Sequence, residues 1–207
     1  MFFHRTPWLV QKIYPSLTWS LPTDEKVIHL TFDDGPIPDL TEFILDTLRD
    51  YRAMGTFFCV GENLIKHQNI AQRALKEGHK LANHTFNHLD GWSIADQKYI
   101  DNIKQCENQL VELKEQSLLF RPPYGKIKRS QISKVSSNYS VIMWDVLSGD
   151  YSKNISPDQC LKGTIKAVRK GSIVLFHDNI KAEKNMKYAL PRFLDHFSNL
   201  GYAFKTL

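Results

Sequence analysis

The feature that most narrows the fold of this chain is an alternation. Short apolar runs, rich in aromatic and β-branched residues, lie at 28–32, 56–60, 80–83, 118–120, 139–144, 172–176 and 202–204. Their length and composition predict strands. Between them lie longer stretches with helical spacing. Residues 40–52 place Phe43, Ile44, Thr47 and Leu48 on one face behind a Pro38-Asp39 start, and residues 64–77 stop at Gly78. Residues 95–114 carry Tyr99, Ile103, Cys106, Leu110 and Leu113, and residues 158–169 open after Ser156-Pro157 and close at Gly171. Such start and stop signals mark helices. Strand and helix in alternation predict an α/β fold with a parallel sheet, curled into a barrel of about seven units. Chemistry in such folds collects where strands end and loops begin.

A chain of 207 residues, 42% hydrophobic and 24% charged, fits one soluble domain with an ample core. Cys59, Cys106 and Cys160 are far apart, form no C-x-x-C pair, and are expected as buried, inert thiols. The net charge of +5 raises a nucleic-acid partner. The bases are mixed with acids, however, and the densest cluster, Lys126-Ile127-Lys128-Arg129, is short. No aromatic-interleaved basic stripe accompanies them, so no nucleic-acid partner is expected. Near the N-terminus, Trp8-Leu9-Val10 is broken by Gln11-Lys12, too short for a signal core or a membrane span. A cytoplasmic location is the expectation from that absence.

Five motifs fall at predicted strand ends. The first is Thr31-Phe32-Asp33-Asp34-Gly35-Pro36. Two adjacent carboxylates repel, and a cation on one of them relieves the repulsion. Strand alternation points them to opposite faces, and the Gly35-Pro36 turn can relax it. The second, His84-Thr85-Phe86-Asn87-His88, places two imidazoles where one helical turn brings both to a metal. With one carboxylate they make a two-His, one-Asp set with open positions. In the third, Phe120-Arg121-Pro122-Pro123-Tyr124-Gly125, the prolines stiffen a segment whose Tyr124 N–H can serve as an oxyanion donor, and Arg121 can orient a carboxylate. The fourth, 144–151, contains Trp144, which also reads as core, Asp150, able to pair with a histidine or arginine, and Tyr151. The fifth is Ile173-Val174-Leu175-Phe176-His177-Asp178, a strand ending in a histidine that nearby carboxylates would keep protonated.

Taken together and in this order, the motifs resemble the polysaccharide deacetylase family, the NodB-homology domain or carbohydrate esterase family four. The resemblance runs from Lys26 to the C-terminus, leaving residues 1–25 as an N-terminal extension. It implies a distorted (β/α) barrel that removes N-acetyl groups from amino sugars. By the same resemblance Asp34, His84 and His88 bind a divalent metal, Zn2+ foremost, with Co2+ or another ion as the alternative. Asp33 is the implied general base, held by Arg121, and His177 the implied acid, tuned by Asp150. Leu175 lines the pocket for the acetyl methyl, and Trp144 and Tyr151 stand beside the substrate. Tyr151 stands where the family often has Trp, and Leu147 where an acid is common.

The implied partner is an N-acetylated carbohydrate, and the family's polymers place cell-envelope association beside the cytoplasmic expectation. Two other readings use the same residues: hydrolysis of a non-sugar amide or acetyl ester, and metal-stabilised carbohydrate binding without turnover. A matched acid and base argue against the last. The sequence leaves the oligomeric state open.

Overall fold

A computed structural model describes residues 2–207. In chain order the elements are α1 (Trp8–Ile13), β1 (Val27–Asp33), α2 (Leu40–Asp50), β2 (Gly55–Cys59), α3 (Gly61–Lys66), α4 (Gln68–Lys76), β3 (Lys80–Asn83) and α5 (Asp96–Glu112). They continue with β4 (Leu119–Phe120), α6 (Arg129–Val135), β5 (Ser140–Val141), β6 (Val146–Leu147), α7 (Pro157–Ala167), β7 (Ser172–His177), α8 (Glu183–Asn199) and β8 (Ala203–Phe204). The strands form an eight-stranded sheet in the order β5-β4-β3-β2-β1-β7-β6, with β8 paired to β1. Every named pairing is parallel. The sheet curls into the distorted α/β barrel that the alternation implied.

The central strand β1 is buried along its whole length, as expected of a parallel strand covered on both faces. Its alternate residues divide the labour. Ile28, Leu30 and Phe32 join the main core with the helix residues Ile44, Leu48, Leu190 and Phe193. Thr31 and Asp33 share the opposite, inward face, where Phe58, Ala82, Ile142 and Ile173 fill the barrel.

Several elements differ from the sequence reading. Of the predicted strand 139–144 only Ser140–Val141 forms a strand, β5, and the sequence reading did not include β6 (Val146–Leu147), which follows the buried Asp145. The Asp145 carboxylate accepts from the Ile173 N–H and the Ser172 hydroxyl, both at 2.8 Å. The predicted helix 64–77 is α3 and α4, broken at His67, whose φ of −131° is non-helical. Two shorter helices, α1 and α6, and the long α8 lie outside the predicted set. α8 buries Met186, Ala189, Leu190, Phe193, Leu194 and Phe197 at helical spacing, with Pro191 inside. At roughly 1.5–3 kcal/mol per buried large side chain, that stripe is a principal anchor of the helical layer.

The N-terminal extension is packed against the barrel. Thr18 bridges Ile142, Ser20 bridges Ser172 and Arg5 bridges Val146, so the segment lies along the seam between the two edge strands β5 and β6. Leu17 and Trp19 are buried there. The three cysteines are buried free thiols, as expected. No helix among the described residues is long and apolar enough to cross a membrane.

Candidate active site

β1 and β7 run side by side with Asp33 opposite His177. The last residues of both strands therefore meet at one rim. There a cleft of about 650 Å³ is lined by Asp33, Asp34, His84, His88, Tyr124, Trp144, Tyr151, Leu175 and His177. The structure thus gathers the residues of all five motifs, with Arg121 and Asp150 directly behind.

Asp33 continues the inward face of β1 and is 3% exposed. Arg121, fully buried, comes to it from the end of β4. One Nη1 donates to Asp33 Oδ1 at 2.7 Å and to Thr31 Oγ1 at 2.8 Å. Nη2 donates to the Met143 carbonyl at 2.8 Å and Nε to the Ile142 carbonyl at 3.2 Å. The Phe58 ring lies 4.1 Å from the guanidinium carbon. Burial pulls the Arg121 pKa down and Asp33 pulls it back up, and a guanidinium placed like this stays charged.

Asp34 escapes strand alternation through its backbone. Its φ is 91°, so its side chain turns into the same cleft as that of Asp33. The loop beyond it is held by Asp178, a buried carboxylate that accepts from the Gly35 N–H and the Thr41 hydroxyl, each at 2.8 Å. A Cβ on residue 35 would lie 1.8 Å from Asp178 Oδ2, so only glycine fits. Burial pushes Asp178 above the usual carboxylate range against those two donors, and the charge of Asp34 adds to the shift.

The two histidines do not share a helical turn as the spacing predicted. Residues 84–88 form a loop, with φ of 66° at Thr85 and 55° at His88. Asn83 and Asn102 hold it: Asn83 Oδ1 accepts from Thr85 N–H at 2.9 Å, and Asn102 Oδ1 accepts from Phe86 and Asn87 N–H. The loop still brings the imidazoles together, ring centroids 5.1 Å apart. His84 Nδ1 lies 2.8 Å from the Arg121 carbonyl and His88 Nδ1 lies 3.1 Å from the Tyr124 hydroxyl. A proton on Nδ1 of His84 leaves Nε2 with its lone pair, and that Nε2 sits 3.5 Å from Asp34 Oδ1, with His88 Nε2 at 2.9 Å. Ligand atoms of Asp34, His84 and His88 all lie within 4.8 Å of one another. Imidazoles oriented through their second nitrogen, beside one carboxylate, are a donor set that fits a divalent cation. Burial opposes charge on Asp34, but hydrogen bonds from His84 and His88 and the charge of His177 hold it well below the usual carboxylate range.

On the far side stands His177. Its Nδ1 lies 2.8 Å from Asp150 Oδ1, and its backbone N–H donates to Asp150 Oδ2 at 2.7 Å. Asp150 is fully buried. Burial pushes the imidazole pKa down, but Asp150, then Asp34 and Asp33, outweigh it and raise it to about 9. The sequence reading expected nearby carboxylates to raise this pKa, with Asp150 as the tuning residue by the family resemblance; Asp150 leads the rise here. Tyr151 meets His177 edge-on at 4.8 Å between centroids.

Sequence reasoning missed Asn179 and Asn63. Asn179 Nδ2 donates to Asp34 Oδ2, and Asn63 Nδ2 donates to the Asp34 carbonyl at 2.8 Å. For Asn179 the signal was its place two residues beyond the end of β7. Asn63, inside α3, carried none.

Fold and rim together define a class: a parallel α/β barrel with a buried aspartate and a histidine paired beside a two-imidazole, one-carboxylate cluster. The particular family follows from the sequence match, for residues 20–140 fit the polysaccharide deacetylase family, and the chain belongs to it. A peptidoglycan-N-acetylglucosamine deacetylase of Bacillus cereus is 33% identical, over 92% of this chain and 91% of its own. A chitooligosaccharide deacetylase of Rhizobium leguminosarum bv. trifolii is 32% identical over 75% of this chain and 73% of its own. Among solved structures, the Bc1960 peptidoglycan N-acetylglucosamine deacetylase in complex with 4-naphthalen-1-yl-N-oxidanyl-benzamide superposes with a TM-score of 0.88 at 30% identity, covering 98% of this chain and 95% of that one.

Proposed function

We propose that the protein is a metal-dependent hydrolase that removes N-acetyl groups from N-acetylglucosamine-containing polysaccharide or oligosaccharide of the peptidoglycan or chitin type. One observation carries the reading: Asp33 and His177, register partners on neighbouring strands, flank the Asp34–His84–His88 cluster. An amide is a poor electrophile with a poor leaving group, so its hydrolysis needs a base for water and an acid for the amine. A divalent cation held by Asp34, His84 and His88, most simply Zn2+, supplies Lewis-acid polarisation to the amide carbonyl and the attacking water.

The chain's own groups do the rest. Asp33, held in place by Arg121, accepts a proton from the attacking water. Tyr124 N–H, which donates to no backbone acceptor among the described residues, stabilises the developing oxyanion. His177, its Nδ1 proton held by Asp150, donates from Nε2 to the leaving nitrogen. Leu175 and Trp144 form the wall for the acetyl methyl, and Tyr151 bounds the sugar beside His177. Acid and base are set apart by their partners, a guanidinium beside Asp33 and, beside His177, a carboxylate that raises its pKa.

The test is acetate release from N-acetylglucosamine oligomers and peptidoglycan fragments, with small acetamides and acetyl esters alongside, before and after chelation. Chelator-sensitive release that favours the sugars is expected. Its absence from every sugar would defeat the reading.

A further inference from the structure

The turn after His88 carries a tryptophan for which the reaction has no use. Trp92 is 60% exposed, a large apolar side chain left in water. Yet its turn is tied down on several sides. Trp92 N–H donates to Asp90 Oδ1 at 2.9 Å, and the indole Nε1–H donates to the Ile127 carbonyl at 3.2 Å. Asp90 Oδ2 in turn accepts from Lys126 Nζ at 2.7 Å. Gly91 packs so closely that a Cβ there would lie 2.5 Å from the Lys126 carbonyl oxygen, and its own carbonyl accepts from fully buried Gln131 at 2.9 Å. The indole is therefore presented in a fixed pose, its ordering entropy already spent on folding.

The platform is continuous with the cleft. The Lys126 ammonium lies 5.6 Å from the centroid of Trp92 and 5.5 Å from that of Tyr124. Tyr124 reaches His88 through its hydroxyl. Exposed rings thus run outward from the cation-ligand cluster in one strip, with Lys126 and Asp90 as hydrogen-bonding groups at its margin. A pyranose presents C–H bonds on its face and hydroxyls around its edge. A rigid indole bordered by an ammonium and a carboxylate matches both.

We infer that Trp92 forms a distal subsite that stacks a sugar ring of the same chain, beyond the ring being deacetylated, so that the enzyme prefers oligomers to short sugars. The inference rests on the proposed deacetylase reading. The test measures kcat/KM for N-acetylglucosamine dimer and hexamer, and hexamer binding by titration, in the wild type, Trp92→Ala and Trp92→Phe. The hexamer-to-dimer ratio should fall about tenfold in Trp92→Ala, through KM rather than kcat, and recover largely in Trp92→Phe. An unaltered ratio in Trp92→Ala overturns the subsite. If the wild type turns over no oligomer, the binding arm separates the two claims. Trp92-dependent hexamer binding then keeps the subsite and rejects the deacetylase reading, whereas binding that ignores Trp92, or no binding, rejects the subsite as well.

Discussion

Two buried ion pairs sit on opposite sides of the cleft, Arg121–Asp33 at 2.7 Å and His177–Asp150 at 2.8 Å. Their lengths match, but their roles are reversed. In the first pair the carboxylate lines the cleft and the cation stands behind, its four hydrogen bonds directed at Asp33, Thr31, Ile142 and Met143. In the second the imidazole lines the cleft, and the carboxylate stands behind, accepting from both the ring and the backbone of His177. The group behind decides what the group in front can do. In the proposed reaction the guanidinium holds Asp33 as the group that accepts a proton, and the buried carboxylate holds His177 as the group that gives one.

The sharpest way to break this comparison is to remove the charge of the front carboxylate. Asp33→Asn should lower kcat by about 10²–10⁴-fold while metal content, measured by elemental analysis, stays at the wild-type level. A loss of only a few-fold would move the base elsewhere. A milder change sharpens the other pair. The His177 pKa is raised to about 9, chiefly by Asp150, and the proposed reaction uses its acid form. Activity should therefore persist below that value and fall as pH rises through it. Asp150→Asn removes the main raising influence, so the alkaline limb of the kcat profile should move to lower pH by about one unit or more. A limb that stays in place would mean that another group titrates there. The same sign governs stability: the raised His177 pKa favours the fold at low pH, and that contribution fades as pH rises through about 9. The smallest effect is expected at the cation cluster's support. Tyr124→Phe removes the hydroxyl that meets His88 Nδ1, and metal affinity by competition with a chelator should weaken about tenfold, with kcat at saturating metal nearly retained.

Much of the site was legible because its residues follow apolar strands directly. Asp33, Asp34, His84, Arg121 and His177 each stand at or next to a strand end, where a parallel barrel has one chemical rim. What stayed hidden depends on backbone conformation or on distant partners. The His84–His88 spacing suggested a helix, and only the positive φ of Thr85 and His88 and the asparagine clamps show how a loop achieves the same convergence. Asn63 touches Asp34 from 29 positions away, a relation no local pattern encodes. In the fold, α8 has a regular apolar stripe, but its lysine-rich first turns and internal Pro191 disguise it. β6 went unread because it is only two residues long and follows Asp145, whose carboxylate satisfies groups at the start of β7.

In the proposed reaction the pairing of Asp33 with His177 across β1 and β7 makes the backbone ladder a ruler for proton transfer. Were β7 to slip by a single position, Phe176 or Asp178 would stand opposite Asp33, and the inward and outward faces of the strand would trade places. The spacing between these two side chains is thus guarded by every hydrogen bond and apolar contact that locks the strands, so residues far from the rim, such as Ile28 and Val174 deep in the core, help to keep them aligned.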